Sequence, residues 1–220
     1  MLIWLVLIPL IAAALIGLCK APARPTALLS ASLTLALGIW ALVSFDGCSS
    51  CWSRFEGMDL QLTLAPALSK VMLLLTILVT FATVLGTNPP QGGEASWYNS
   101  ALLISAGATG AFLSDNIISF FAFHELALIP TFVMIGLYGR GDRRTTAWRA
   151  TLYLGLASMV LLAALLMIGT QAGFTFSGLK DFMAGGRELA HAELIGALLI
   201  AGFGTLISLF PFHSWAAPAY

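Results

Sequence analysis

The sequence predicts an all-α membrane protein with about seven transmembrane helices. Of the 220 residues, 59% are hydrophobic and only 9% are charged, and the mean hydropathy is +0.94. A soluble domain carries about 25% charged residues, so a soluble protein is excluded. The apolar residues form continuous runs, which favours helices over the alternating strands of a membrane β-barrel. Because ten basic residues balance ten acidic ones, the lipid bilayer and not nucleic acid is the predicted partner.

The predicted helices follow the apolar runs in order. Each run is long enough to cross the hydrocarbon core, which takes about 20 residues of helix. The first run has no basic residue ahead of it and ends in Cys19-Lys20, so it is predicted to be a retained helix and not a signal peptide. The runs cover residues 1–18, 26–45, 64–86, 97–113, 117–138, 147–168 and 193–212.

The basic residues of the loops predict the orientation. Cytoplasmic loops carry an excess of Lys and Arg, and the excess here favours an N-terminus outside the membrane. The loops on the predicted inner side contain Lys20, Arg24, Arg140, Arg143 and Arg144, and those on the outer side contain Arg54, Lys180 and Arg187.

Two loops have features of their own. Cys48 and Cys51 form one C-x-x-C pair, which is too few ligands for a zinc site, so a local disulfide or two free thiols are favoured over a redox or metal role. The longest polar interruption, residues 170–192, is predicted to be a structured external loop. The alternative is a solvated connector whose aromatic residues rest on the membrane interface.

Ionisable residues inside the apolar runs are the candidate functional residues. A charged side chain at the bilayer centre costs about 2.5 to 3.5 kcal/mol, so such residues are expected to face protein or water. The candidates are Lys70 in the third run, Glu125 beside His124 in the fifth, Arg149 in the sixth and His213 at the end of the seventh.

Glu125 is predicted to be a proton-transfer site. Burial disfavours the charged form of a carboxyl group and a nearby cation favours it, so its proton occupancy responds to small movements of that cation. Pro130 adds a local irregularity, because it lacks an N–H and leaves the carbonyl of Leu126 exposed one turn from Glu125. The alternative is a protonated Glu125 that forms a packing hydrogen bond between helices.

The other three candidates have simpler alternatives. Pro211 is predicted to break the seventh helix, which places His213 either on a hydrated path or as an orienting hydrogen bonder at the interface. Arg149 and Lys70 lie near helix ends, where a long side chain can reach the headgroups and serve as an anchor. No phosphate-binding loop, iron–sulfur cysteine cluster or haem-ligating histidine pair is visible, so no cofactor is expected in this chain and an enzymatic activity of its own stays open.

The fifth run carries a family resemblance. Residues 120–131, Phe-Phe-Ala-Phe-His-Glu-Leu-Ala-Leu-Ile-Pro-Thr, followed by Gly136-Leu-Tyr-Gly139, resemble the signature of the M-type (chain 4) antiporter-like subunit of respiratory complex I, NADH:quinone oxidoreductase. Residues 112–116 and 203–215 resemble further segments of that subunit. The resemblance implies that Glu125 is a central proton-transfer residue. It also implies that Arg149, at a position that is often basic, is a candidate substitute for the cationic partner of Glu125.

The departures from the family pattern include two positions of the seventh helix and the length. The family normally has a Lys in its seventh helix where this chain has Leu206, and a Pro where it has Ser208. Family members have about fourteen helices in two inverted repeats. The resemblance therefore divides the chain into residues 1–96, with the first three helices, and residues 97–220, an incomplete first proton-translocation repeat. The remaining helices are expected either from another polypeptide or, if this chain is a truncated or split product, from the rest of that product.

The resemblance implies a proton-translocating subunit of a redox-driven complex in a bacterial inner membrane. NADH, FMN, iron–sulfur clusters and quinone are then expected in partner subunits, and other membrane subunits are the expected neighbours. The alternatives are a subunit of a multi-subunit cation/proton antiporter or a non-conducting structural remnant, for which Leu206 in place of Lys is the motivation.

Overall fold

The computed structural model describes residues 1–44, 49–55, 58–64, 66–90 and 92–219. Cys48 lies outside them, so the fate of the C-x-x-C pair stays a prediction. The described residues form eight helices and one hairpin: α1 (Leu2–Gly17), α2 (Ala23–Ser44), β1 (Ser49–Phe55), β2 (Met58–Thr63), α3 (Ala67–Gly86), α4 (Glu94–Leu113), α5 (Ile117–Tyr138), α6 (Arg143–Ala172), α7 (Phe176–Ala184) and α8 (Ala192–Leu206).

The mostly helical character of the chain is confirmed. Helices α1 to α6 and α8 each overlap one predicted apolar run, and α5 has the predicted bounds of residues 117–138. Among the described residues, α2, α3, α5 and α6 are long and apolar enough to cross a membrane, and α1 and α8 are shorter apolar helices. The count of seven membrane-spanning helices therefore stays a prediction.

The first of two compact units spans Met1–Pro130. In it α1 packs against α2 and α4, and α3 packs against α2 and α4. Two buried clusters mark the two ends of this antiparallel bundle. The cluster at the hairpin end contains Leu2, Leu5, Ala41, Leu62, Leu64, Leu73, Ile77 and Leu113, and the cluster at the opposite end contains Ala12, Ala13, Ile16, Ala27, Ala31, Val84, Tyr98 and Leu102.

Some of the polar side chains inside this bundle form hydrogen bonds within the protein. The hydroxyl of Thr34 donates to the carbonyl of Ser30 one turn earlier, at 2.8 Å. Between helices, the Thr80 hydroxyl donates to the Ser105 hydroxyl at 2.9 Å. Such bonds are expected where no water is available to satisfy a polar group.

A β-hairpin corrects the all-α prediction. Strand β1 pairs antiparallel with β2, with Ser49 opposite Thr63. The sequence from Met58 alternates in polarity, and Leu62 and Leu64 are buried. Alternation with a period of two is the signal of a half-buried strand, and here it was obscured by the apolar run that follows directly.

The second compact unit spans Thr131–Tyr220, and in it α8 packs against α6. Gly202 brings the two backbones together, because a Cβ there would lie 2.9 Å from the Cβ of Leu161. The predicted external loop at residues 170–192 is largely helical: α6 continues to Ala172 and α7 follows. The side chain of Thr175 caps α7 by accepting a hydrogen bond from the Gly178 N–H at 3.1 Å.

Helix α8 ends at Leu206, six residues before the predicted end at residue 212. The cause is a Schellman motif: the N–H of Ser208 donates to the carbonyl of Thr205 at 3.1 Å, and the N–H of Leu209 donates to the carbonyl of Gly204 at 2.7 Å. Ser208 adopts the left-handed conformation that this motif requires, with φ 59°. The helix stops before the proline that was expected to break it, so a proline-broken helix stays a prediction.

Candidate functional site

The start of α5 fixes the position of Glu125. Asn116 caps the helix, because its side-chain oxygen accepts from the N–H groups of Ile118 at 2.9 Å and Ser119 at 3.2 Å. The hairpin holds the preceding residue, since the N–H of Asp115 donates to the carbonyl of Gln61 at 2.9 Å. Glu125 thus lies in the third turn of an apolar helix whose entry is held by the first unit.

Glu125 and His124 form a close pair of ionisable side chains. Nδ1 of His124 lies 3.5 Å from Oε1 of Glu125, and the two side chains are 19% and 31% exposed, respectively. Consecutive residues of a helix project about 100° apart, so this contact exists because both side chains turn towards each other. The resulting arrangement joins a carboxyl group and an imidazole inside an apolar helix.

Two aromatic rings flank the imidazole of His124. Phe120, four residues earlier, stacks on it with a centroid distance of 6.3 Å and an interplanar angle of 25°. Phe121, three residues earlier, lies at 6.4 Å and 31°. Side chains three and four residues apart share a helix face, so these rings hold the orientation of the imidazole. The spacing was visible in the sequence, but its meaning for His124 was not predicted.

Helices α4 and α5 approach closely beside this pair. A Cβ at Gly107 would lie 2.7 Å from both the amide nitrogen of Ala127 and the carbonyl oxygen of Phe123. One turn further along, a Cβ at Gly110 would collide with the ring of Phe123. Because these contacts bracket Glu125 along the chain, the two glycines position the backbone that carries it. The run of small residues at positions 106–111, which includes Ala106/Gly110 and Gly107/Ala111 four residues apart, is a packing signal that could have predicted the contact.

Arg149 lies exposed in the second turn of α6. The helix is capped by Asp142, whose side chain accepts a hydrogen bond from the N–H of Thr145 at 3.3 Å. Hydrogen bonds from Thr145, and to a smaller extent the charge of Arg149, lower the pKa of Asp142 below its ordinary value. The guanidinium therefore acts on the cap of its own helix, in keeping with its position near the helix end.

His213 is exposed in the turns that follow α8, with its ring 5.6 Å from that of Phe210. The next residue, Ser214, donates to the hydroxyl of Tyr153 at 3.2 Å. Tyr153 lies one turn after Arg149 on α6, so the His213 segment rests on the face of α6 that carries Arg149.

A tryptophan secures the end of α8, a role that was not predicted from the sequence. The indole N–H of Trp215 donates to the carbonyl of Thr205 at 2.9 Å, and the side chain is only 4% exposed. That carbonyl is one of the groups left without a helical partner when α8 stops. The turn after α8 is thus held by side-chain capping as well as by its backbone.

The candidates are divided between the two units. Lys70, half-buried in the first turn of α3, and Glu125 lie in the first unit. Arg149 and His213 lie in the second. The structure brings together Glu125 with His124, and the Arg149 helix with the His213 segment.

The long apolar helices define an integral membrane protein, and an ionisable pair inside one of them marks a candidate functional site. Residues 114–220 match the family described as NADH:quinone oxidoreductase/Mrp antiporter, TM. Residues 114–220 therefore carry the transmembrane domain of this family, and the chain as a whole is similar to antiporter-like membrane subunits.

Curated relatives support the same assignment. Subunit M of the F(420)H(2) dehydrogenase of Methanosarcina mazei is 24% identical over 98% of this chain and 47% of its own length. NAD(P)H-quinone oxidoreductase chain 4 of Microcystis aeruginosa is 30% identical over 70% of this chain and 28% of its own length. The chain thus spans less than half the length of these relatives.

Solved structures share the fold. A chain of respiratory complex I from Thermus thermophilus matches 100% of this chain and 46% of its own length, with a TM-score of 0.85 and 25% identity. A chain of the Mrp complex from Dietzia matches 100% of this chain and 43% of its own length, with a TM-score of 0.80 and 21% identity. These matches confirm the predicted antiporter-like fold.

Proposed function

We propose that this protein is a proton-translocating membrane subunit of an NADH:quinone oxidoreductase, in which Glu125 accepts and releases the transported proton. The observation that carries the proposal is the carboxyl group in the third turn of an apolar helix, 3.5 Å from an imidazole. A carboxyl group in such surroundings changes its protonation when a nearby charge moves, which is the property that translocation requires.

The relatives favour this assembly over a cation/proton antiporter. Those at 24% and 30% identity are named as subunits of an F(420)H(2) dehydrogenase and of a quinone oxidoreductase. The Mrp chain, at 21% identity, supports the fold alone. Electrons then pass through NADH, FMN, iron–sulfur clusters and quinone in partner subunits, and this chain carries protons.

The remaining candidates are assigned supporting roles in the same proposal. Arg149 is a cationic partner for proton movement, His213 belongs to the proton path, and Lys70 is a further ionisable member of it. The hydrogen bond between Ser214 and Tyr153 supports a joint role for Arg149 and His213, because it fixes their two segments to each other.

The surroundings of the chain form the last part of the proposal. Other membrane subunits border it, and helices equivalent to the rest of its relatives lie beside it, on the same polypeptide or on a separate one. The assembly is placed in a bacterial inner membrane with the N-terminus of this chain outside.

The test is Glu125→Gln in the assembled complex, in inverted membrane vesicles supplied with NADH and a short-chain quinone. Protons taken up per quinone reduced are expected to fall, because the amide cannot carry the proton. Glu188→Gln is the matched control, since it makes the same change at an exposed residue outside the helices and is expected to keep the wild-type ratio. An undiminished ratio in Glu125→Gln would show that the transported proton does not pass through this residue.

A further inference from the structure

His124 is an ionisable group in close contact with Glu125. Its Nδ1 is buried, has no hydrogen-bond partner among the described residues and faces Oε1 of Glu125 at 3.5 Å. A buried polar atom without a partner costs free energy, so such an atom in a native structure calls for an explanation. A proton that moves onto this nitrogen, shared with the facing carboxylate, would satisfy it.

We propose that His124 is the proton-transfer partner of Glu125, a proposal that rests on the proposed function of Glu125. In the transfer, the O–H bond of the neutral carboxyl group breaks and an N–H bond forms at Nδ1 of the neutral imidazole. The products are a carboxylate and an imidazolium, and the reverse step restores the neutral pair. No electrons are exchanged, and the net charge of the pair is unchanged.

The geometry requires only a small movement. Proton transfer takes place at separations of about 2.6 to 3.2 Å between heavy atoms, and catalytic hydrogen bonds are often longer in the resting state. A side-chain movement of a few tenths of an ångström closes the gap from 3.5 Å. The rings of Phe120 and Phe121 hold the imidazole in place while Glu125, the more exposed of the two side chains, moves.

The titratable groups of α4, the helix that crosses α5 at Gly107, lie far from the pair. Glu94 begins α4, about 20 Å from Gly107 along the helix at 1.5 Å per residue. Tyr98, one turn further on, uses its hydroxyl to donate to the carbonyl of Thr87 at 3.2 Å. Neither group is therefore placed to compete with the imidazole for the proton of Glu125.

Two further charged groups lie at or near the starts of helices. Asp115 precedes the start of α5, about 13 Å along the helix axis from His124. Lys70 lies in the first turn of α3, which packs against α2 and α4. When it is protonated, the imidazole of His124 is a cation 3.5 Å from Glu125, placed to stabilise its carboxylate.

Two variants of His124 test the proposal in the assembled complex. His124→Phe keeps a flat ring between Phe120 and Phe121 but has no nitrogen, and His124→Asn can bond the carboxyl group but cannot take its proton. Both are expected to slow proton uptake about tenfold, a modest part of the effect of a general acid–base group. Both are also expected to flatten the dependence of uptake on pH, because one of the two titrating groups is gone. His191→Asn, which removes an imidazole at the start of α8, is the matched control and keeps the wild-type profile.

The infrared carboxyl C=O band assigned through Glu125→Gln gives a second readout, since its pH dependence is expected to change in both His124 variants. Assembly is checked by the amount of this chain in the purified complex, and if His124→Phe assembles poorly, His124→Asn decides. A wild-type rate, pH profile and infrared band in an assembled His124 variant, with Glu125→Gln still blocking uptake, would overturn this proposal and leave the proposed function intact. Normal uptake in Glu125→Gln would overturn both.

Discussion

Replacement of Gly107 by Ala tests the close approach of α4 and α5 beside Glu125. The added methyl group would lie 2.7 Å from the Ala127 nitrogen and the Phe123 oxygen, about 0.7 Å short of the 3.4 Å at which ordinary van der Waals contact begins. Both atoms belong to backbone, so the helices must separate and cannot adjust by a side-chain rotation. Overpacking of this kind costs about 1 to 3 kcal/mol.

Gly155→Ala is the matched control, because it adds the same methyl group to a helix at a position where no atom beyond the adjacent residues and the local helix backbone lies within 4 Å of it. There the higher helix propensity of Ala is expected to leave stability unchanged or raise it by up to about 1 kcal/mol. The free energy of unfolding, measured by reversible denaturation in mixed micelles, should therefore separate the two variants by about 2 kcal/mol. Equal stabilities would refute the inferred backbone contact at Gly107.

Three further predictions concern other parts of the fold. Ser208→Gly is expected to raise the stability by about 1 kcal/mol, because glycine adopts the φ of 59° without strain. Ser208→Pro is expected to lower the stability, since proline fixes φ near −65°. The same melting temperature for both variants would contradict the Schellman motif. Asp142 has a lowered pKa in the folded protein, so its contribution to stability is present above its ordinary pKa of 3.8 and is lost as the pH falls through the lowered value. Asp142→Asn should remove this part of the pH dependence of the free energy of unfolding. The same loss of stability at acid pH in the variant and the wild type would contradict this role of Asp142. A double-mutant cycle of Thr80→Val and Ser105→Ala is expected to give a coupling energy of about 0.6 kcal/mol for their hydrogen bond, and a coupling near zero would show that the bond adds nothing.

The apolar runs predicted the helices well where polar residues bound them on both sides. Helix α5 is the clearest case, because Asn116 caps its start and Gly139 follows its end, and both signals are local. The position of Glu125 within that helix was therefore predictable. The contact of Glu125 with His124 was harder to predict, since consecutive residues of a helix project apart. Only the two flanking phenylalanines explain the orientation of the His124 ring.

The parts that could not be predicted from the sequence depend on contacts between distant segments or on unusual backbone. The hairpin is held partly by Leu62 and Leu64, which are buried in the bundle, so its stability comes from tertiary packing. The end of α8 depends on a serine in the left-handed region and on an indole that returns to the carbonyl of Thr205. A proline is a strong local signal of a helix break, and Pro211 therefore favoured a break later in the chain than Leu206, where α8 ends.

Variants at the end of α8 and at the pair on α5 are expected to affect different properties, the first the stability of the protein and the second its proton uptake. Two of the departures from the family pattern lie at the end of α8. Leu206 is the last residue of this helix, and Ser208 adopts φ 59°, a conformation that proline cannot adopt. This chain therefore ends α8 with a Schellman motif at Ser208, and it has an apolar residue, Leu206, where the resemblance implies a lysine. If His124 supplies the cation instead, Ser208→Gly should change the melting temperature and leave the pH profile of proton uptake unaltered. His124→Asn should change the pH profile of proton uptake and leave the melting temperature unaltered. A variant at Ser208 that shifted the pH profile would show that the controlling charge lies near α8 and not on α5.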